Sequence, residues 1–238
     1  MELRIKFELP KKQLLSKKNY EPLLLECLNH IPFFDEKSNG GFAAPQSESN
    51  GQCDAIGKNG CYSVDFKLLL SQEGAQNMNE TSITKVALCK GVTMSAPSKA
   101  SAHGIASLPF PNIWAFLRTQ SLSLNESGEI ALLNEADKNM GETIKSLNKM
   151  IHTKKNLIFF NPSRLFVFDT PDNPIEYFCS YAREVLSIIS KARKMFSQEY
   201  ETYYALLMNN KMVLLSEDFA HIGCIDLTTL DAWRKLHI

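Results

Sequence analysis

Two aspartates and a lysine are the side chains whose types and spacing could do chemistry together. They fall in residues 51–70, GQCDAIGKNGCYSVDFKLLL. Two short alternating runs flank Gly57-Lys58-Asn59-Gly60, and glycine with asparagine at a tight turn is the usual hairpin signal. With Lys58 and Asn59 as a two-residue loop, Asp54 faces Ser63 and Gln52 faces Asp65. Period-two alternation places Ser63, Asp65 and Lys67 on one face, and Tyr62, Val64, Phe66 and Leu68 on the other. Opposite partners share a face, which puts Asp54 with Asp65 and Lys67. Carboxylate oxygens clustered in this way suit a hard divalent cation, which usually keeps several waters. Metal-bound water is a better nucleophile, and a nearby ammonium can orient it or neutralise charge building on a phosphate. The register decides the matter, because a slip of one residue would send Asp54 to the opposite face. The plainer alternative is a solvated hairpin face whose Asp65–Lys67 pair contributes little.

At these residues the chain resembles the PD-(D/E)XK nuclease superfamily. Its signature is an aspartate near the end of one strand, a short turn, then Asp or Glu, any residue, and Lys on the next strand. Here those positions are Asp54 and Asp65-Phe66-Lys67, with Cys53 where the family often has proline. Members often add an acidic residue from the preceding helix, which Glu26 or Glu21 would match. No Gln-x-x-x-Tyr follows the lysine, so that branch of the family is unsupported. The resemblance implies a restriction-endonuclease-like fold, with Mg²⁺ (or Mn²⁺) held by Asp54 and Asp65. It implies that Lys67 positions or activates the water, that Glu26 is an accessory ligand, and that DNA is the substrate, in restriction, defence or repair. The rivals are a non-catalytic interaction or scaffold protein, and an inactive member of the fold that binds nucleic acid without cutting it.

The elements that must position these residues follow from pattern. Residues 2–9 alternate as a half-exposed strand ended by Pro10, and residues 12–30 read as a helix interrupted near Pro22 and closed by Pro32. Residues 35–50 read as a loop, 82–90 as a third strand of an antiparallel meander, and 91–112 as a long surface loop holding His103. Residues 113–117 begin a short helix with Arg118 just beyond. The spacing of Leu132, Leu133, Ala136, Met140, Ile144, Leu147 and Ile151 predicts an amphipathic helix over 131–154. Two short strands, 156–160 and 164–168, are expected on either side of Asn161-Pro162-Ser163. A helix of some 20 residues starts at Pro174. Its last turns carry Lys191, Arg193 and Lys194, which suit either the helix dipole or a nucleic-acid backbone. A hairpin turning on Asn209-Asn210 and a helix over 229–237 complete the chain.

These elements predict one α/β domain over 1–238, in which α and β elements mix. A central mixed β-sheet has flanking helices, and 171–238 forms a C-terminal helix-and-hairpin extension. With 44% hydrophobic and 22% charged residues, the composition is that of an ordinary globular chain. Lys plus Arg equals Asp plus Glu at 26 each, so any DNA contact must rely on a local basic surface. The six cysteines form no CxxC pair, which argues against a zinc ribbon and for reduced thiols in a cytoplasmic protein. No run approaches a membrane span, while a protein partner or homodimer is compatible. The motifs of acyl transfer, nucleotide hydrolysis and zinc peptidases are absent.

Overall fold

A computed structural model describes residues 4–8, 11–46, 52–69, 122–132, 138–168 and 173–236. The expected third strand at 82–90, the 91–112 loop with His103, and the 113–117 helix with Arg118 lie outside these residues. In chain order the strands are β1 (Arg4–Glu8), β2 (Phe42–Ala43), β3 (Ala55–Gly57), β4 (Ser63–Leu68), β5 (Leu122–Leu124), β6 (Ile130–Leu132), β7 (Asn156–Phe168), β8 (Thr202–Met208), β9 (Lys211–Leu215) and β10 (His221–Asp226). The helices are α1 (Lys17–Asn29), α2 (Pro32–Ser38), α3 (Lys138–Ile151), α4 (Pro174–Phe196) and α5 (Asp231–Lys235).

The molecule is mixed α/β. Seven strands of an eight-stranded sheet run in the order β10-β9-β8-β7-β4-β3-β2, and β1 joins at β7. The three strands at its centre, β4, β7 and β8, are parallel, and the rest pair antiparallel. β7 and β8 are covered on both faces, which is why they read as near-continuous apolar runs. Alternate residues go to two separate cores. Leu157, Phe159, Tyr204 and Leu206 pack with α3 and α4 through Ile144, Leu147, Leu186 and Ile189. Ile158, Phe160, Tyr203 and Ala205 pack with α1, α2 and α5 through Leu24, Leu28, Phe34 and Trp233.

One residue registers the parallel centre. The Asn156 side chain donates to Ser63 O (3.1 Å) at the start of β4 and accepts from Glu201 N–H (2.8 Å) just before β8. On the α1 side, Glu201 also ties α2 to the sheet. Its carboxylate accepts from Lys37 Nζ at 2.6 and 2.8 Å, from Tyr203 OH at 2.7 Å, and from Tyr62 OH. Burial opposes the Glu201 charge, but the hydrogen bonds from Lys37, Tyr62 and Tyr203 outweigh it and hold the carboxyl below its usual range.

Several sequence expectations are corrected. Pro32 does not simply close the first helix. It opens α2 from its first turn, so the supposed loop at 35–50 starts as helix and leaves it at Asn39, in left-handed backbone (φ 55°). Residues 131 and 132 of the predicted 131–154 helix are strand, pairing as part of β6 with β5, and the helix is described over Lys138–Ile151. The Asn148 side chain on α3 fixes that strand by bonding both Ile130 N–H and Ile130 O at 3.0 Å. The two strands expected around Pro162 are one, β7. The register against β8 shifts between Asn161 and Leu165, and Asn161 Oδ1 accepts from Ser163 N–H (3.0 Å) in that irregular stretch. The last helix is shorter than expected, Asp231–Lys235, and follows a 3₁₀ turn at Leu227–Thr229. The described cysteines Cys27, Cys53, Cys61, Cys179 and Cys224 are free thiols. No helix among the described residues is long and apolar enough to cross a membrane.

Candidate active site

The β3–β4 hairpin carries the site, in a register different from the expected one. Ala55 pairs with Val64 and Ile56 with Ser63. The loop spans Lys58 to Cys61, closed by Gly57 N–H to Tyr62 O (2.8 Å) and Gly60 N–H to Gly57 O (2.8 Å). Asn59 Oδ1 accepts from Cys61 N–H (2.9 Å) and Gly60 takes φ +69°, which together widen a two-residue turn into this longer loop. The shift is an even number of residues, so no side chain changes face. Asp54 lies one residue before the paired part of β3. Asp54 Oδ2 accepts from Phe66 N–H at 2.7 Å, so its side chain bonds the backbone of β4 where β3 begins.

Val64 and Phe66 face the α1–α2 core, so Asp65 and Lys67 lie on the α3–α4 side of β4. The Asp65 side chain is only 7% exposed. Its Oδ2 lies 3.1 Å from Lys67 Nζ and 3.5 Å from Lys155 Nζ. Its Oδ1 is buried without a hydrogen-bond partner. A second group meets Asp54 from the first turns of α1. Lys17 Nζ stands 3.8 Å from Asp54 Oδ1 and 3.1 Å from Glu21 Oε1. Burial pushes the Glu21 carboxyl above its usual range, against the pull of Lys17. Burial also opposes the charge on Lys17, yet its ion pair with Glu21 and the Asp54 charge raise its pKa overall. The hairpin thus carries two charged groups, Asp65 with Lys67 and Lys155, and Asp54 and Glu21 with Lys17.

The remaining candidates are elsewhere. Glu26 does not reach this cluster. Its carboxylate caps α5, accepting from Asp231 N–H (2.9 Å) and Ala232 N–H (2.8 Å), and Glu21, one helical turn or so earlier, faces Asp54 instead. Arg193 is fully buried and cannot rim a nucleic-acid surface. Its guanidinium donates to Ile151 O (3.0 Å), Thr153 O, Lys155 O and Thr202 Oγ1 (3.1 Å). Lys191 and Lys194 are exposed, and Lys194 is engaged with Asp218 (2.7 Å) and Glu217 (3.8 Å). Sequence reasoning missed Lys155 and did not place Lys17 beside Asp54 and Glu21. Lys155 immediately precedes the apolar run of β7, but only the parallel pairing of β7 with β4 brings it to Asp65.

Among the described residues, no group of three or more His, Cys, Asp or Glu side chains is arranged to hold a metal ion. Comparison with protein-family models, with curated proteins and with solved structures gives no match.

Proposed function

We propose that this chain is a metal-dependent nuclease with a restriction-endonuclease-like arrangement of sheet and site, hydrolysing phosphodiesters of DNA. Asp65 carries the reading. It is a buried carboxylate with one oxygen unpartnered and the other beside two ammonium groups. Leaving a buried acceptor unsatisfied is unfavourable for folding, so a ligand that completes it is the physical reason to keep it there. A mixed sheet that carries the Asp54…Asp65-x-Lys67 hairpin, with helices on both faces, also supports the restriction-endonuclease-like assignment.

Asp54 and Asp65 would be the protein ligands of Mg²⁺ or Mn²⁺. Mg²⁺ is commonly bound through one or two carboxylates, with water and substrate phosphate completing its shell, so the reading asks for no third carboxylate. Once bound there, such a cation supplies an acidified water and charge stabilisation at the phosphate. Lys67, 3.1 Å from Asp65 Oδ2, would orient the attacking water through its ammonium hydrogens. Glu21, with its raised pKa, is the accessory carboxylate next to Asp54, the role first assigned to Glu26. Restriction or defence against foreign DNA is a setting this chemistry suits.

The test is cleavage of plasmid DNA with Mg²⁺, with Mn²⁺ and with a chelator, using wild type and Asp65→Asn. Cation-dependent cutting is expected, with at least about a hundredfold loss in the variant. Asp65→Asn cutting at the native rate, or wild type that cuts neither DNA nor RNA with either cation, overturns the proposal.

A further inference from the structure

We infer that the groove between α1 and α5 carries the nucleic-acid backbone away from the hairpin site, with Lys18 and Lys235 bound to phosphates that flank the one being cut. The inference rests on the nuclease reading above and adds to it the path of the substrate.

The groove has a volume of about 380 Å³ and is lined in part by Lys18, Pro22, Glu26, Asp231, Lys235 and Leu236. Its charges are sorted along the two helices. Glu26 is committed to capping α5 through Asp231 N–H and Ala232 N–H, and the Asp231 carboxylate has its own counter-ion in Arg234 at 3.4 Å. Lys18 lies at the start of α1 and Lys235 at the end of α5, so both come from the helix ends remote from those carboxylates. Both lysines are exposed, and among the described residues neither ammonium has a hydrogen-bond or ion-pair partner. Lys17, Lys37, Lys67 and Lys194, by contrast, are held by carboxylates of the protein. An ammonium outside such pairs gives up no protein interaction when it binds an external anion.

The place of the groove indicates which anion. The first turn of α1 sends Lys18 into the groove and Lys17 to Asp54 Oδ1 at 3.8 Å, and it holds no acidic residue. A phosphodiester strand at the hairpin therefore reaches the lysine end of the groove within one helical turn. Contacts of this kind, lysine to phosphate, fix the register of a nucleic acid without reading its bases. They also supply the local basic surface that a chain of zero net charge requires.

The experiment compares full-length wild type, Lys18→Gln, Lys235→Gln, the double variant and Lys191→Gln, the last on α4 across the sheet. Binding of a short fluorescein-labelled DNA duplex is followed by anisotropy over a range of NaCl concentrations in Ca²⁺, and plasmid cleavage is measured in Mg²⁺. Each groove variant should bind duplex roughly three- to tenfold more weakly at low salt, and the double variant should show a salt slope shallower by about 2. Cleavage by the groove variants should show a raised KM with kcat unchanged, and Lys191→Gln should follow wild type in every arm. A double variant with wild-type affinity and slope overturns the inference, as does an equal loss in Lys191→Gln. Polyglutamate that displaces the duplex as well as unlabelled DNA does, at equal charge, would assign the groove to an acidic protein and overturn it too. If the double variant matches wild type while Asp65→Asn has lost cleavage, the nuclease site stands and only the path fails. If binding depends on Lys18 and Lys235 but wild type cuts neither DNA nor RNA, the groove stands as a nucleic-acid surface and the nuclease reading falls.

Discussion

Replacing Arg193 should unmake the turn between α3 and β7. Its guanidinium is fully buried and makes four hydrogen bonds, three of them to backbone carbonyls of Ile151, Thr153 and Lys155. Hydrogen bonds from a charged donor contribute about 1.5–3 kcal/mol each, so the four sum to roughly 6–12 kcal/mol before other effects. Desolvating the guanidinium offsets several kcal/mol of that, and burial correspondingly lowers its pKa. Water can reach some of the freed carbonyls. A net loss of about 3 kcal/mol is therefore expected for Arg193→Met, which fills similar space without donors. For a chain of this size that lowers Tm by roughly 6–12 °C. Arg193→Lys should fall between, since a point cation cannot serve a fan of carbonyls as a planar fork does. Lys191→Ala and Lys194→Ala, on the exposed side of the same helix, should stay within about 0.5 kcal/mol of wild type. Urea titration followed by circular dichroism and tryptophan fluorescence measures all four. An Arg193→Met midpoint equal to that of Lys191→Ala would refute the clamp and return Arg193 to the surface.

Glu26→Ala should lose about 1 kcal/mol by uncapping α5 while leaving plasmid cleavage intact, which urea midpoints and the nicking assay read separately. A fall in cleavage with unchanged stability would put Glu26 back in the site. Glu201 has a lowered carboxyl pKa, so the stability it contributes is present above the unfolded carboxylate range, near ~4.3, and is lost as pH falls through the folded value. Midpoints of wild type and Glu201→Gln should therefore differ at neutral pH and converge in acid. Parallel curves down to low pH would exclude the Lys37–Glu201 link as a source of stability. Gly57→Ala should destabilise by about 1–3 kcal/mol, because an added Cβ would stand 2.9 Å from Ser38 Cα at the end of α2. A thermal melt no lower than wild type would show that α2 is free to give way.

Local chemistry was readable wherever neighbours in sequence are neighbours in space. Asn209-Asn210 turns β8 into β9 with Met208 opposite Lys211, and Asn173 caps a helix that starts at Pro174. The two faces of β4 also follow from alternation alone, because the shift in hairpin pairing was even. What stayed hidden depends on partners far along the chain. Nothing local says that β4 lies beside β7, so Lys155 could not be assigned to Asp65. Arg193 was read as part of a basic surface because its neighbours Lys191 and Lys194 are exposed. Yet it lies four residues after Ile189, on the stripe that continues Ala182 and Leu186 into the core, and that spacing was the available signal. Glu21 and Glu26 sit on one helix, and only the placement of α5 against α1 shows which carboxylate is occupied in capping.

The pairing of β1 sets a schedule for the ribosome. Arg4 pairs with Phe168 and Glu8 with Arg164, in the second half of β7. At about 5–20 residues per second, β1 waits on the order of ten seconds for the second half of β7 to be made. Through that interval its hydrogen-bonding edge is open to any other strand. Arg4, Lys6 and Glu8 put a charge at every second position of the strand, the composition that discourages such mispairing. The alternation that reads as an ordinary half-exposed strand is thus also what protects the nascent chain until the centre of the sheet exists to receive it.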